Sequence, residues 1–342
     1  MRAVVYDAPL SFTVREIPTP TTAQGQVRVR VVQTGVCGTD LHLHEGKFMA
    51  AYPLVPGHET VGVVDELGDG VTGLAVGEQV TINPNSSCGS CDYCRAGRPL
   101  LCDALTGMGA NRAGMFAEYV VAPAAQVFSV QGLDPDVAVF TEPTSCVAHG
   151  IDTIRPRANS TALVFGAGPT GLLLAQMIAA NGATHVTVAA ATSFKLTKAR
   201  ALGVDATFLM DRSDLAGDVT KLRELTAGAG FDIVVDATGS TDVVEQCVPL
   251  TRNGGTAVFY GVTDNDATIR VSPYDIFRRE ITIKGSFAEI ASFPSAIAAL
   301  RSGRVRTDGI ITHRYGLDDY GVALEALRSD KAVHKIIIDL SS

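Results

Sequence analysis

The sequence has no run of basic residues: 36 Asp and Glu stand against 28 Lys and Arg in 342 residues, a formal charge of −8. A net-acidic chain of this kind argues against nucleic acid or an anionic membrane as partner and leaves a small molecule as the expected ligand. Low complexity is also absent, because 34 Gly and 15 Pro are close to average usage, and no internal repeat interrupts the chain. With 46% hydrophobic and 19% charged residues, disordered and fibrous classes are excluded and a soluble globular protein of two domains is expected.

A further absence is local. Between Arg157 and Lys195 there is no Asp, Glu, Lys or Arg, a stretch longer than a membrane-spanning helix requires. Gly166, Gly168, Pro169, Gly171 and Gly182 break it, so it reads as a buried strand, a turn, a buried helix and a second strand. The N-terminus, Met1-Arg2-Ala3-Val4-Val5-Tyr6-Asp7, enters strand character directly without a signal or transit pattern, and a cytoplasmic location is the default.

Up to about residue 145 the chain carries short β-type runs separated by Gly and Pro: Val27, Val29 and Val31 alternate with polar residues, Val61, Val63 and Val64 precede a turn, and Val80 and Ile82 follow another. From about 147, strand and helix alternate: strands at 162–165, 185–189 and 232–237, helices at 171–181 and 195–202. This order predicts a parallel sheet covered by helices, an α/β fold. A helix over 294–302 and a last strand over 335–340 complete the pattern.

Seven cysteines in a chain with cytosolic character are expected to bind metal, to react or to be inert. Cys88, Cys91, Cys94 and Cys102 recur within one Gly- and Pro-containing loop, and four thiolates so close can surround Zn²⁺ completely, which makes a structural site. A redox pair would not need the third and fourth thiols. Cys37 lies in Gly35-Val36-Cys37-Gly38-Thr39-Asp40-Leu41-His42, and Gly57-His58-Glu59 follows. A lone Cys and a lone His are ordinarily core and surface residues, but Thr39, His42 and Glu59 add polar groups with no evident burial role. Cys146 and Cys247 lack such company and read as small buried hydrophobes.

Gly166-Ala167-Gly168-Pro169-Thr170-Gly171 is a G-x-G-x-x-G that leaves a strand and opens a helix. Gly166 permits the tight turn, Gly168 the approach of a pyrophosphate, and Gly171 close helix–strand packing, with Pro169 and Thr170 at the helix N-terminus. The acid that binds an NAD ribose belongs at the end of the second strand, yet Val188 to Lys195 contains no carboxylate. Ala190 removes repulsion against a 2′-phosphate, and Thr192, Ser193 and Lys195 can bind one, which favours NADP over NAD. The other reading is that Ala190 tolerates either cofactor, since no Arg stands here for a bidentate contact.

These residues together resemble the zinc-dependent medium-chain dehydrogenases and reductases, over essentially the whole chain and in the family's order. Thr141-Glu142-Pro143-Thr144-Ser145-Cys146 is similar to the polyol branch of sorbitol and D-arabinitol dehydrogenases, with Glu where many simple alcohol dehydrogenases have a Cys ligand. Ile276-Phe277-Arg278-Arg279-Glu280 and Lys284-Gly285-Ser286-Phe287 look like fungal D-arabinitol dehydrogenases. The resemblance implies a GroES-like β-rich catalytic domain over 1–146 and 287–342, with a structural zinc lobe at 84–104, and a Rossmann doubly wound domain over 147–286.

By the same resemblance Cys37, His58 and Glu142 hold a catalytic zinc, with Glu59 an alternative ligand or a group close behind. Asp40 orients the His58 ring, and Thr39 and His42 relay the proton, His44 being the rival of His42. Thr39 and Phe287 touch substrate. Ala288 and Glu289 stand where sorbitol dehydrogenases carry an Arg and a Tyr against the polyol, and Leu43 replaces an aromatic, so the pocket is reshaped. The expected activity is hydride transfer between a polyol or secondary alcohol and NADP, D-arabinitol-like polyols favoured, by a homotetramer or dimer. The alternatives are an NAD-dependent enzyme acting on alcohols, amino alcohols or sugar derivatives, and a non-catalytic nucleotide-binding scaffold. The scaffold has no use for an open zinc position.

Overall fold

The computed structural model describes residues 1–341. β1 (Arg2–Ala8) and β2 (Ser11–Glu16) form an antiparallel hairpin, and β3 (Gln26–Val36) follows. In β3, Val27, Val29 and Val31 point into a core while Arg28 and Arg30 point away, as expected of an antiparallel strand with one wet face. Next come α1 (Gly38–His44), β4 (Glu59–Leu67) and β5 (Gln79–Ile82). A small lobe contains β6 (Asn85–Ser86), α2 (Asp92–Arg95) and β7 (Thr106–Gly107). β8 (Tyr119–Pro123), β9 (Val127–Ser129), α3 (Pro135–Ala138) and α4 (Thr141–Ile154) lead out of this half.

The alternating half contains β10 (Ser160–Phe165), α5 (Pro169–Ala180), β11 (Ala183–Ala190), α6 (Ser193–Ala201), β12 (Ala206–Leu209), α7 (Leu215–Glu224), β13 (Phe231–Asp236), α8 (Thr241–Leu250), β14 (Thr251–Phe259), α9 (Pro273–Arg279) and β15 (Thr282–Gly285). α10 (Phe293–Arg301), β16 (Ile311–Gly316), α11 (Tyr320–Ser329) and β17 (Lys335–Asp339) close the chain. The six strands β12-β11-β10-β13-β14-β15 lie in that order and pair in parallel. β10 and β13 are apolar because helices cover both faces. The order reverses direction at β10, the strand before the glycine turn, which is where open α/β sheets bind ligands. The other large sheet has seven strands, ordered β16-β17-β3-β4-β5-β9 with β8 paired to β3.

The chain divides into two compact units. One holds Met1–Ser145, Glu289–Arg301 and the described residues from Ile311 on; the other holds Cys146–Ala288 and Ser302–Ile310. The expectation placed 287–342 as a whole with the first domain; here Ser302–Ile310 groups with the second unit. Gln176 on α5 explains it: its side chain donates to the Arg306 carbonyl at 3.1 Å and accepts from the Arg306 N–H at 2.8 Å. Among the described residues no helix is long and apolar enough to cross a membrane.

Candidate active site

Cys37 directly follows β3 and caps α1, and its N–H donates to Asp40 Oδ2 at 2.9 Å. Glu59 opens β4 opposite Gly35 of β3, and His58 precedes it. The chain reaches His58 through Gly57 at φ +94°, where a Cβ would press within 2.8 Å of the Phe116 backbone nitrogen. Antiparallel pairing thus delivers three donors to one place: one ligand atom each from Cys37, His58 and Glu59 lie within 4.8 Å of one another.

Sulfur, imidazole nitrogen and carboxylate oxygen are a zinc donor set, and three of them leave a position for a substrate. The surroundings call for a cation. Burial disfavours a charged His58, but Cys37, Asp40 and Glu142 outweigh it and hold the ring's pKa well above 6.5. Asp40 is itself fully buried, which raises its pKa, and its Oδ1 has no hydrogen-bond partner among the described residues. Asp40, expected to orient the His58 ring, has its Oδ1 3.9 Å from Nδ1, a charge contact longer than a hydrogen bond. The other carboxylate oxygen is committed to the cap of α1.

Glu142, in the first turn of α4, is buried and acts electrostatically on His58 but is not one of the three clustered residues. Glu289 is fully buried near it. Its carboxyl accepts from Asn83 at 3.3 Å and Asn85 at 3.4 Å, and burial together with the Glu142 charge pushes its pKa up to about 8. Lys335, the first residue of β17, is buried and paired with the Glu59 carboxylate. Burial works against its charge, but Glu59 and Cys37 more than compensate and raise its pKa. No spacing rule singled out Lys335; the one local signal was a lysine at the head of the Ile336-Ile337-Ile338 run.

Thr39 Oγ1 lies 3.7 Å from the Cys37 sulfur. His42 and His44 share α1, and His44 Nδ1 hydrogen-bonds Tyr6 Oη at 2.8 Å, so His44 already has a structural task. Phe287, in the second unit, is 42% exposed after β15.

Cys88, Cys91, Cys94 and Cys102 also place their sulfurs within 4.8 Å of one another. Cys88 accepts N–H bonds from Ser90 (3.4 Å) and Cys91 (3.3 Å), which bring its thiol down to about 6, and Cys102 accepts from Cys88 and Ala104 at 3.3 Å. The bonds to Cys88 favour its thiolate, the form that binds metal, whereas burial pushes Cys94 up to about 11. Cys247 is buried in the core, while Cys146 is only partly so, unlike the fully buried role expected of it.

In the second unit, Gly166 has φ +106°, and Gly171 packs so tightly on the Gly166 carbonyl that any Cβ would collide with it. A Cβ at Gly168 would meet nothing among the described residues within 4 Å, which leaves that face free for a ligand. Pro169 is the first residue of α5 and Thr170 the second. Ala190 ends β11, Thr192 caps α6, and Ser193 and Lys195 lie in its first turn, two residues earlier than the sequence placed the helix. Burial lowers the Lys195 pKa.

Comparison with known proteins agrees with this geometry. Residues 23–132 match the alcohol dehydrogenase GroES-like domain, and residues 169–302 match the zinc-binding dehydrogenase domain. D-arabinitol dehydrogenase 1 of Uromyces fabae is 42% identical over 96% of this chain and 94% of that protein. The sorbitol dehydrogenase of Halalkalibacterium halodurans is 33% identical over 95% of each. A zinc-binding dehydrogenase of Sinorhizobium meliloti, solved with NADP bound, superposes with a TM-score of 0.92 at 34% identity, covering 99% of this chain and 98% of that one. The chain belongs to the zinc-dependent medium-chain alcohol dehydrogenase family. It is an NAD(P)-dependent alcohol/polyol dehydrogenase of that family, with a four-cysteine structural site and a Cys/His/Glu site of catalytic type.

Proposed function

We propose that the enzyme oxidises a polyol of the D-arabinitol type, or reduces the corresponding ketose, with NADP preferred over NAD. The end of β11 carries the cofactor assignment: Ala190 stands where a carboxylate would bind the NAD ribose, and Thr192, Ser193 and Lys195 follow it. The likeness to D-arabinitol dehydrogenase supports the substrate.

A bound nicotinamide would supply the hydride acceptor, and a bound zinc would supply Lewis acidity at the substrate oxygen. Cys37, His58 and Glu59 hold the metal, with Glu142 as the second carboxylate in reach of the site's field. Gly166, Gly168, Pro169, Thr170 and Gly171 form the pyrophosphate turn. Thr39, beside the Cys37 sulfur, takes the substrate's proton and His42 passes it to water, since a hydroxyl and an imidazole can each accept a proton and donate one. Phe287 is assigned to substrate contact by the family resemblance.

Initial rates on pentitols, hexitols and short secondary alcohols, each with NAD and NADP, test this reading. The expected result is polyol oxidation faster with NADP; activity on simple alcohols alone would reject the substrate class, and faster turnover with NAD would reject the cofactor preference. His42→Ala is expected to lower kcat by about tenfold, mainly near and below neutral pH, at normal zinc content. A pH–rate profile superimposable on that of the parent enzyme removes His42 from the relay.

The enzyme is also expected to be a homotetramer or dimer. β15 is an outer strand of its sheet with Ile283 exposed, and on α9 Tyr274 and Phe277 are 69% and 78% exposed. An unpaired edge beside exposed aromatics suits pairing with a second copy. Light scattering should give a multiple of 35.8 kDa; a monomer contradicts it.

A further inference from the structure

Thr187 of β11 is fully buried, yet its hydroxyl has no hydrogen-bond partner among the described residues. A buried hydroxyl without a partner costs free energy, so its retention calls for a reason. Thr187 lines a cavity of about 380 Å³ together with Thr161, His185, Leu225, Phe231 and Arg252, all within the second unit. Parallel pairing sets Thr161 against His185 and Leu163 against Thr187, so Thr161, His185 and Thr187 share one face of the sheet. His185 and Arg252 are exposed and form the rim. The cavity lies at the amino ends of the strands, because Thr161 is the second residue of β10 and Phe231 the first of β13. Gly166 and the pyrophosphate turn stand beyond the carboxyl end of β10, about 16 Å along the strand from Thr161. The two places are separate.

We propose that this cavity is a second binding site, for a short aliphatic carboxylate that carries a hydroxyl group. Among the described residues Arg252 gives only Nη1 to Asp232, at 3.1 and 3.4 Å, so Nε and Nη2 are left to donate to a carboxylate, the group a guanidinium fork fits best. Asp232 itself is taken up by Arg252 and by the Thr161 N–H and hydroxyl at 2.8 and 3.0 Å, which offsets its charge. Phe231 and Leu225, the latter 58% exposed, offer apolar surface to a carbon chain, and covering the leucine adds to affinity. Thr187, at the buried end, takes the ligand's hydroxyl. Spacing sets the length of the ligand. The guanidinium is held at Asp232 on β13, and β11 lies two strands away in the sheet, about 10 Å. A hydrogen bond of about 3 Å at either end leaves about 4 Å, the separation of carboxylate and hydroxyl in a 3-hydroxy acid.

The probe is 3-hydroxy-3-methylbutyrate, a tertiary alcohol with no carbinol hydrogen for the enzyme to remove as hydride. Calorimetric titration of the zinc-loaded enzyme is expected to show one molecule bound per chain at millimolar concentration or below, and the same binding in Cys37→Ala, whose catalytic site is broken. Thr187→Val keeps the shape without the hydroxyl and should weaken binding about tenfold; Arg252→Gln should weaken it by at least as much. 3,3-Dimethylbutyrate, with a methyl in place of the hydroxyl, should lose no affinity in Thr187→Val. Because no described residue bonds the Thr187 hydroxyl, Thr187→Val should melt no lower than the parent, and the probe should raise the melting temperature of the parent more than that of the variant. Absence of binding at millimolar probe overturns the proposal. So does binding that Cys37→Ala abolishes, which puts the probe at the catalytic site, and so does binding that Thr187→Val leaves unchanged. A Thr187→Val protein that melts below the parent shows a hydroxyl that serves the fold, which also overturns it. If Arg252→Gln fails to fold, the Thr187→Val titrations still decide.

Discussion

Cys37→Ala should lower kcat/KM by about four orders of magnitude, about 5.5 kcal/mol of transition-state stabilisation, and reduce zinc from two to one per chain. Cys37 supplies the only sulfur in the group with His58 and Glu59, and its loss leaves two donors of that group where a catalytic zinc site uses three. The fold should survive. The Cys37 backbone N–H, which the substitution keeps, donates the capping bond to Asp40, and the four cysteines of the other lobe form a separate group. Metal analysis with circular dichroism therefore separates loss of the site from loss of structure. A Cys37→Ala protein that keeps two zincs and turns over at the parent rate would refute the catalytic assignment, and a parent protein with a single zinc would favour the scaffold alternative.

Ala190→Asp should reverse the proposed preference for NADP, with the ratio of kcat/KM for NADP to that for NAD falling by about a hundredfold to a thousandfold. Ala190 is buried at the end of β11, so a carboxylate there would face the cofactor's ribose edge with little solvent to screen it. Against a 2′-phosphate it places like charges together, which costs several kcal/mol; against a 2′-hydroxyl it offers an acceptor. Most of the loss should appear in KM for NADP. Lys195→Ala should weaken NADP about tenfold and leave NAD nearly unchanged, because a single ammonium contact is worth about 1–2 kcal/mol. Steady-state kinetics with both nucleotides on the three proteins measures all of this, and equal effects of Ala190→Asp on the two cofactors would show that the strand end does not read the 2′ position.

The features legible in the sequence are those made by residues close together along the chain. Cys88, Cys91, Cys94 and Cys102 occupy one loop, and the glycine turn from Gly166 to Gly171 joins consecutive elements, so their chemistry follows from spacing and backbone geometry. Helix bounds were less legible: α6 begins at Ser193, two residues before the expected Lys195, with Thr192, a favoured cap residue type, at its start. The path of residues 302–310 was not legible at all, since it depends on Gln176, far away in the chain.

The sequence by itself determined an α/β dinucleotide-binding half, a β-rich half, a four-cysteine zinc lobe and the absence of an acid at the end of β11. Tertiary structure alone decided which carboxylate joins Cys37 and His58, that Asp40 caps α1 without hydrogen-bonding the His58 ring, and that Lys335 enters the site. The physical reason is register: which side chains meet across β17, β3 and β4 depends on how those strands pair. Lys335 and Glu59 lie at opposite ends of the sequence, and nothing local to either residue announces that they touch.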